Sequence, residues 1–180
     1  MSYQDQQASD QIQQLASNYG SLVLSAAQRI VGNIQKAEDI QQEVFLKLIE
    51  KPPAEIQSWP AFLTVMTTRM ALDRVRKSSR WRSFKLRWLL HRQQSEPQST
   101  PETNLDRQQM AKQLREGLIT LKPRDAEIFC LRLFSGIELK AIAAEMKLSE
   151  NHVSVILNRC QQQLAQTLKS DQTRQSENSQ

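Results

Sequence analysis

Glycine and proline are scarce in this chain, four and six residues of 180. Val, Thr and Tyr do not gather in alternating runs, so a strand-based architecture has little to build on. Cysteine occurs twice, as Cys130 and Cys160, far apart and without CxxC spacing. That excludes a disulfide-stapled scaffold and reads as two small core thiols of a reduced, cytoplasmic protein. There is no Gly-rich phosphate loop, no His/Cys cluster at metal-ligand spacing and no nucleophile–base pair. No metal site, no cofactor and no catalysis are therefore expected. No apolar run approaches the roughly 20 residues of a membrane span. The opening MSYQDQQASDQ is polar and acidic, so neither a secretory signal nor membrane insertion is expected.

Gln, Leu, Ala, Arg and Ser dominate instead, which favours helix. The formal net charge is +5, and its placement is more informative than its size. Residues 1–68 hold four basic side chains against seven acidic ones, and residues 93–180 hold eleven of each. The stretch 69–92 holds nine basic residues against the single Asp73. A cationic stretch this dense is the footprint of a polyanion contact; a solvated basic face or a membrane-surface helix is the alternative.

Apolar spacing predicts helices over residues 11–31, 36–50 and 58–80. Ile12, Leu15, Tyr19, Leu22, Val23, Ala26 and Ile30 line the first, which Gly32-Asn33 ends. Ala37, Ile40, Val44 and Leu48 line the second, which Lys51-Pro52-Pro53 stops. Ser58 and Pro60 suit the start of the third, with Phe62, Leu63, Val65, Met66, Met70, Leu72 and Val75 on its apolar side. Trp81, Phe84 and Trp88 interleave with the basic residues that follow. QQSEPQSTPETNLD over 93–106 has no apolar period and reads as a flexible linker. Beyond it, Met110, Leu114, Leu118 and Leu121 form one helix face, and Pro123 opens the next helix, stopped by Gly136.

In IELKAIAAEMKLSENHVSVILNRCQQQL, Leu139, Ile142 and Met146 face Val153, Ile156, Leu157 and Cys160 across a short connector. Ala143 is small enough for a close helix crossing, and Ser149 is a good N-cap. This is a helix-turn-helix pattern, whose second helix enters the major groove. Lys147 stands where glycine often occupies the turn, at a modest strain cost. The exposed side offers Glu150, Asn151, His152, Ser154, Val155, Asn158 and Arg159, with Lys122 and Arg124 nearby for phosphate.

Three stretches in this order resemble the extracytoplasmic-function group of sigma-70 factors: AEDIQQEVFLKL over 37–48, FLTVMTTRMALDRVRKSSR over 62–80, and LKPRDAEIFCLRLFSGIELKAIAAEMKLSENHVSVILNRC over 121–160. The resemblance implies that Asp39, Gln42, Glu43, Phe45 and Leu46 dock on RNA polymerase core. It assigns Arg69, Met70, Asp73, Arg74, Arg76, Lys77 and Arg80 to the minus-ten promoter element. It assigns Arg124, Glu150, Asn151, His152, Ser154, Val155, Asn158 and Arg159 to the minus-thirty-five element. The family commonly carries Asn where Met70 stands, and Lys and Arg where Ser154 and Ile156 stand, which predicts weaker, less salt-dependent upstream binding.

The expected molecule is all-α. Residues 10–92 form a region 2-like domain, 93–106 a linker, 107–169 a region 4-like helix-turn-helix domain, and 170–180 a disordered tail. Its implied partners are polymerase core, promoter DNA and, as the family allows, an anti-sigma factor. Two rivals compete with that reading: a sigma-like protein that sequesters an anti-sigma factor, and a stand-alone helix-turn-helix regulator.

Overall fold

The computed structural model describes the backbone of residues 3–53, 55–89 and 102–177, and the side chains of 12–53, 55–79 and 109–167. Among the described residues the regular structure is entirely helical. The helices are α1 (Tyr3–Val31), α2 (Ile34–Glu50), α3 (Trp59–Leu89), α4 (Glu102–Leu118), α5 (Pro123–Leu133), α6 (Leu139–Met146) and α7 (Glu150–Glu177).

The turn between α1 and α2 follows from two residues. Gly32 takes a left-handed φ of 66°, and its N–H donates to the Gln28 carbonyl at 2.8 Å. Asn33 then caps α2, its side-chain oxygen accepting from the Lys36 N–H at 2.9 Å. Ala37, Ile40, Val44 and Leu48 are all buried, as their spacing predicted. They meet Val23, Ala27 and Ile30 of α1 and Leu63, Ala71 and Leu72 of α3 in one core. Each large aliphatic side chain buried there contributes about 1.5–3 kcal/mol. Gln41 crosses to α1, its Nε2 donating to the Gly20 carbonyl at 2.7 Å.

The second half packs α5 and α6 against α7. Pro123 is the first residue of α5, where its missing N–H costs nothing. Past its end, Gly136 at φ 68° lets the Ile137 N–H reach the Leu131 carbonyl. Gly117 matters for a different reason: a Cβ there would lie 2.6 Å from Leu164 Cδ2, so its absence lets α4 approach α7. Leu118 and Leu121 are buried as expected, but Met110 is exposed and lies off the apolar face.

Several helices outrun their apolar pattern. The start of α1 lies before residue 11, and α3 continues past residue 80 to Leu89. Residues 102–106, read as linker, are the first turn of α4, and residues 170–177, read as a disordered tail, are the last turns of α7. The rest of the linker reading, residues 93–101, falls outside the described residues.

Candidate polymerase and promoter interface

The outer face of α2 carries Asp39, Gln42 and Leu46, all exposed, with Glu43 half-buried. Leu46 is 56% exposed and Ile49 53%. Two large aliphatic side chains left in water beside carboxylates are the kind of patch a partner covers. Phe45, which the resemblance assigns to the docking face, is half-buried against the core of its own domain. Ile49 was not anticipated, since a lone apolar residue outside the stripe carries no periodic signal.

The acids of α2 do not stand apart from the basic helix. Arg74 of α3 lies 3.0 Å from Glu43 and 3.8 Å from Asp39. Residues assigned separately to polymerase and to DNA thus form one charged cluster. Lys47 adds an i,i+4 pair to Glu43 at 3.6 Å.

Along α3 the assigned residues divide by environment. Asp73 and Lys77 are exposed, while Met70 is half-buried against the core, which favours packing for it over base contact. Arg69 is held by the second half, its Nε 2.5 Å from Glu127 and its Nη2 3.4 Å from Glu145. Arg76 has its Nη2 buried with no hydrogen-bond partner among the described residues. The side chain of Arg80, like those of Trp81, Phe84 and Trp88, lies outside the described residues. Thr67 and Thr68 are fully buried in the same helix, their hydroxyls without a hydrogen-bond partner among the described residues. A cleft of about 440 Å³ between the halves gathers further cations, Lys36, Lys112 and Arg115, beside Arg74.

The helix-turn-helix is built as its sequence indicated. Lys147 caps α6 in the left-handed conformation, φ 53° and ψ 50°. Its N–H and that of Leu148 donate back to Ala144 and Ala143, at 3.2 and 2.9 Å. Ser149 Oγ then accepts from the His152 N–H at 3.2 Å, capping α7. Ala143 is buried at the crossing, and Val153, Ile156, Leu157 and Cys160 form the inner stripe. Because Ile156 is part of that core, a basic side chain there would cost the packing of α7 against α6.

Glu150, Asn151, His152, Val155 and Asn158 present an exposed face, and Ser154 is half-buried. Two cations assigned to DNA have structural partners. Arg124 donates to the Met146 carbonyl at the end of α6, bracing the turn. Arg159 lies 2.5 Å from Asp125, a buried carboxylate that would otherwise stand unpaired. Asp125, Glu127 and Glu145 went unnoticed in the sequence because contacts spanning tens of residues leave no local signature.

Burial pushes the Glu127 carboxyl above its ordinary range, and the Arg69 guanidinium pulls it part of the way back. Burial also pushes the Cys130 thiol up to about 12, so it stays protonated at neutral pH. The Cys160 thiol moves in the same direction for the same reason. No helix among the described residues is long and apolar enough to cross a membrane.

Residues 15–81 match the family described as Sigma-70 region 2, and residues 117–166 match Sigma-70, region 4. One similar protein is the "Probable ECF RNA polymerase sigma factor SigI" of Mycobacterium tuberculosis (strain CDC 1551 / Oshkosh). It is 37% identical over 57 residues, which cover 32% of this chain and 20% of that protein. The same figures hold for its counterpart in strain ATCC 25618 / H37Rv. The chain therefore aligns with only one fifth of the length of these relatives. Among solved structures, the sigma factor RpoE from Bartonella quintana, in complex with the anti-sigma factor NepR, has a similar fold. The TM-score is 0.50 at 20% identity, over 90% of this chain and 98% of that one. The extracytoplasmic function sigma factor SigJ of Mycobacterium tuberculosis gives a TM-score of 0.46 at 21% identity, over 83% and 52% of the two chains. With both sigma-70 regions present in order, and between them spanning well over half of its length, the chain belongs to the sigma-70 family.

Proposed function

We propose that this chain directs bacterial RNA polymerase core to specific promoters and assists their opening, in the cytoplasm and with no catalysis of its own. One observation carries the reading: an acid-flanked apolar patch on α2 adjoins the basic helix α3, and a helix-turn-helix follows in the same chain. The roles divide accordingly. Asp39, Gln42, Glu43 and Leu46 contact core, with Ile49 extending the patch. Arg69, Asp73, Arg74, Arg76, Lys77 and Arg80 serve the minus-ten element, with Met70 as packing. Glu150, Asn151, His152, Ser154, Val155 and Asn158 face the minus-thirty-five element, and Arg124 and Arg159 brace the helices that present them.

Melting the start site opposes stacking of about 1.4 kcal/mol per base step. A cationic helix that holds one separated strand offsets part of that cost. Joining two modest DNA modules on one polymerase raises the effective concentration of each for its element, so neither needs high affinity alone.

The test is transcription from a library of promoter fragments by core polymerase plus this protein. Run-off products sharing an upstream motif are the expected result. Core binding without any transcript would favour a second reading, that of a sigma-like protein sequestering an anti-sigma factor. That alternative draws on the absence of any Lys or Arg among Glu150, Asn151, His152, Val155 and Asn158 on the outer face of α7. Failure to bind core would leave a stand-alone DNA-binding regulator.

A further inference from the structure

The cleft of about 440 Å³ draws its walls from four helices: Val31 of α1, Lys36 of α2, Arg74 and Val75 of α3, and Lys112 and Arg115 of α4. Arg74 is already neutralised by Asp39 and Glu43. Lys36, Lys112 and Arg115 are not, since among the described residues none of them has a carboxylate at ion-pair distance. Glu116 is the one acid of the lining, so the cleft keeps an excess of positive charge that its own walls do not cancel. Arg115 is the most constrained of the three cations. Its guanidinium lies over the turn between α1 and α2, in the space that a Cβ on Gly32 would fill. Burial pulls it below its ordinary value, and the charge of Glu116 pulls it part of the way back. A guanidinium drawn partly out of water without an ion pair is met best by an anion from outside. Val31, Val75 and Ile119 make the rest of the wall apolar.

We infer that this cleft is a binding site for a nucleoside polyphosphate, whose phosphates meet Lys36, Lys112 and Arg115 and whose base covers Val31, Val75 and Ile119. Its volume falls within the range of roughly 300–1,000 Å³ in which small-molecule sites lie, and a concave space of that size does not admit a duplex. The charge selects the ligand class. Three unpaired cations against Glu116 call for an anion with at least two negative charges, which a single carboxylate does not supply. Phosphate oxygens suit this donor set, because a planar guanidinium binds them in pairs while the two lysines act as point charges. The apolar wall favours a nucleoside over bare pyrophosphate, which would leave Val31, Val75 and Ile119 uncovered. Ser78 Oγ donates to the Val75 carbonyl, so towards the cleft it offers an acceptor for a sugar hydroxyl or a base N–H. Lys36, Lys112 and Arg115 have no part in the polymerase and promoter contacts proposed above, and the inference goes beyond that reading without depending on it.

The experiment is a calorimetric titration of the full chain, at one fixed ionic strength, with ATP, GTP, inorganic pyrophosphate and a mixed-sequence single-stranded oligonucleotide. ATP or GTP should saturate at one per chain, and pyrophosphate should bind at least about ten-fold more weakly. The cleft variant is Lys112→Ala with Arg115→Ala, which should weaken the nucleotide by about ten-fold or more. Its control, equal in net charge, is Lys51→Ala with Lys140→Ala, at exposed positions outside the lining, and should bind as wild type does. Circular dichroism verifies equal helix content. Should the cleft variant fail to fold, Lys36→Ala removes a cation at an exposed position and should still weaken the nucleotide. Ile119→Asn should weaken the nucleotide and leave pyrophosphate unchanged. Saturation by neither nucleotide, or equal losses in the cleft variant and the control, would overturn the site. Pyrophosphate bound as tightly as ATP and GTP would overturn the place given to the base. An oligonucleotide that binds where ATP and GTP do not, and that the cleft variant loses, would assign these cations to nucleic-acid backbone and overturn the nucleotide site. Neither core nor promoter is present, so the result is independent of whether the chain directs transcription.

Discussion

The two halves of this protein arrange their charges in opposite ways. The first concentrates cations on one helix and holds them with carboxylates: Arg74 with Asp39 and Glu43, Arg69 with Glu127 and Glu145. The second presents on α7 the exposed Glu150, Asn151, His152, Val155 and Asn158, beside an exposed Arg159 whose guanidinium is tied to Asp125. Its nearby arginines hold the fold together, Arg124 at the turn and Arg159 on Asp125. The difference teaches where affinity and selectivity would come from. On the proposed reading, cations on α3 would supply salt-dependent grip, whereas amides and an imidazole on α7 would read base edges with little pull on the phosphates.

The comparison breaks most readily at α3. Replacing Arg76 and Lys77 by Ala should abolish promoter opening, read by permanganate reactivity of the minus-ten strand. It should lower the salt slope of DNA binding by about two, with polymerase binding unchanged. Persistent opening in that variant would end the assignment of grip to α3. Adding Arg74→Ala should also weaken core binding, because Asp39 and Glu43 lose the cation that orients them.

Reversing those acids comes next in size. Asp39→Lys with Glu43→Lys should weaken core binding by about 2–3 kcal/mol, near a hundred-fold. A fluorescence titration against core polymerase reads it, and wild-type affinity would remove α2 from the docking face.

In the second half the expected losses are structural. Arg159→Ala should lower stability in a thermal melt by roughly 1–2 kcal/mol, since it strands the Asp125 carboxylate, an estimate reduced because Arg159 itself is half-exposed. It should leave the salt slope of duplex binding unmoved, and a fall of about one would return Arg159 to the DNA contacts. The smallest effect is a gain. Lys147→Gly should raise stability by about 0.5–1 kcal/mol, because glycine holds φ 53° without the steric cost a Cβ brings. A lower melting temperature would show that the lysine side chain does more than tolerate the turn.

Much of the fold was legible residue by residue. The stripe Ala37, Ile40, Val44 and Leu48 is buried as its spacing implied, and Pro123, Gly136, Lys147 and Ser149 punctuate the chain where local chemistry placed them. Helix ends were harder to read. α3, α4 and α7 extend through polar sequence, where helix propensity continues after the apolar period stops. The site was half legible. Charge density located α3 and the acids located the face of α2, but Phe45 turned inward and Ile49 outward, which a single helix pattern does not resolve.

Local chemistry in the sequence thus determined helix identity, the helix-turn-helix, the cationic stretch and family membership, since periodicity, caps and composition act within a few turns of chain. Only the tertiary structure decided which charges are free. Arg69 meets Glu127 across 58 residues and Arg159 meets Asp125 across 34. Such pairs depend on how separate helices pack, and no short-range pattern records that.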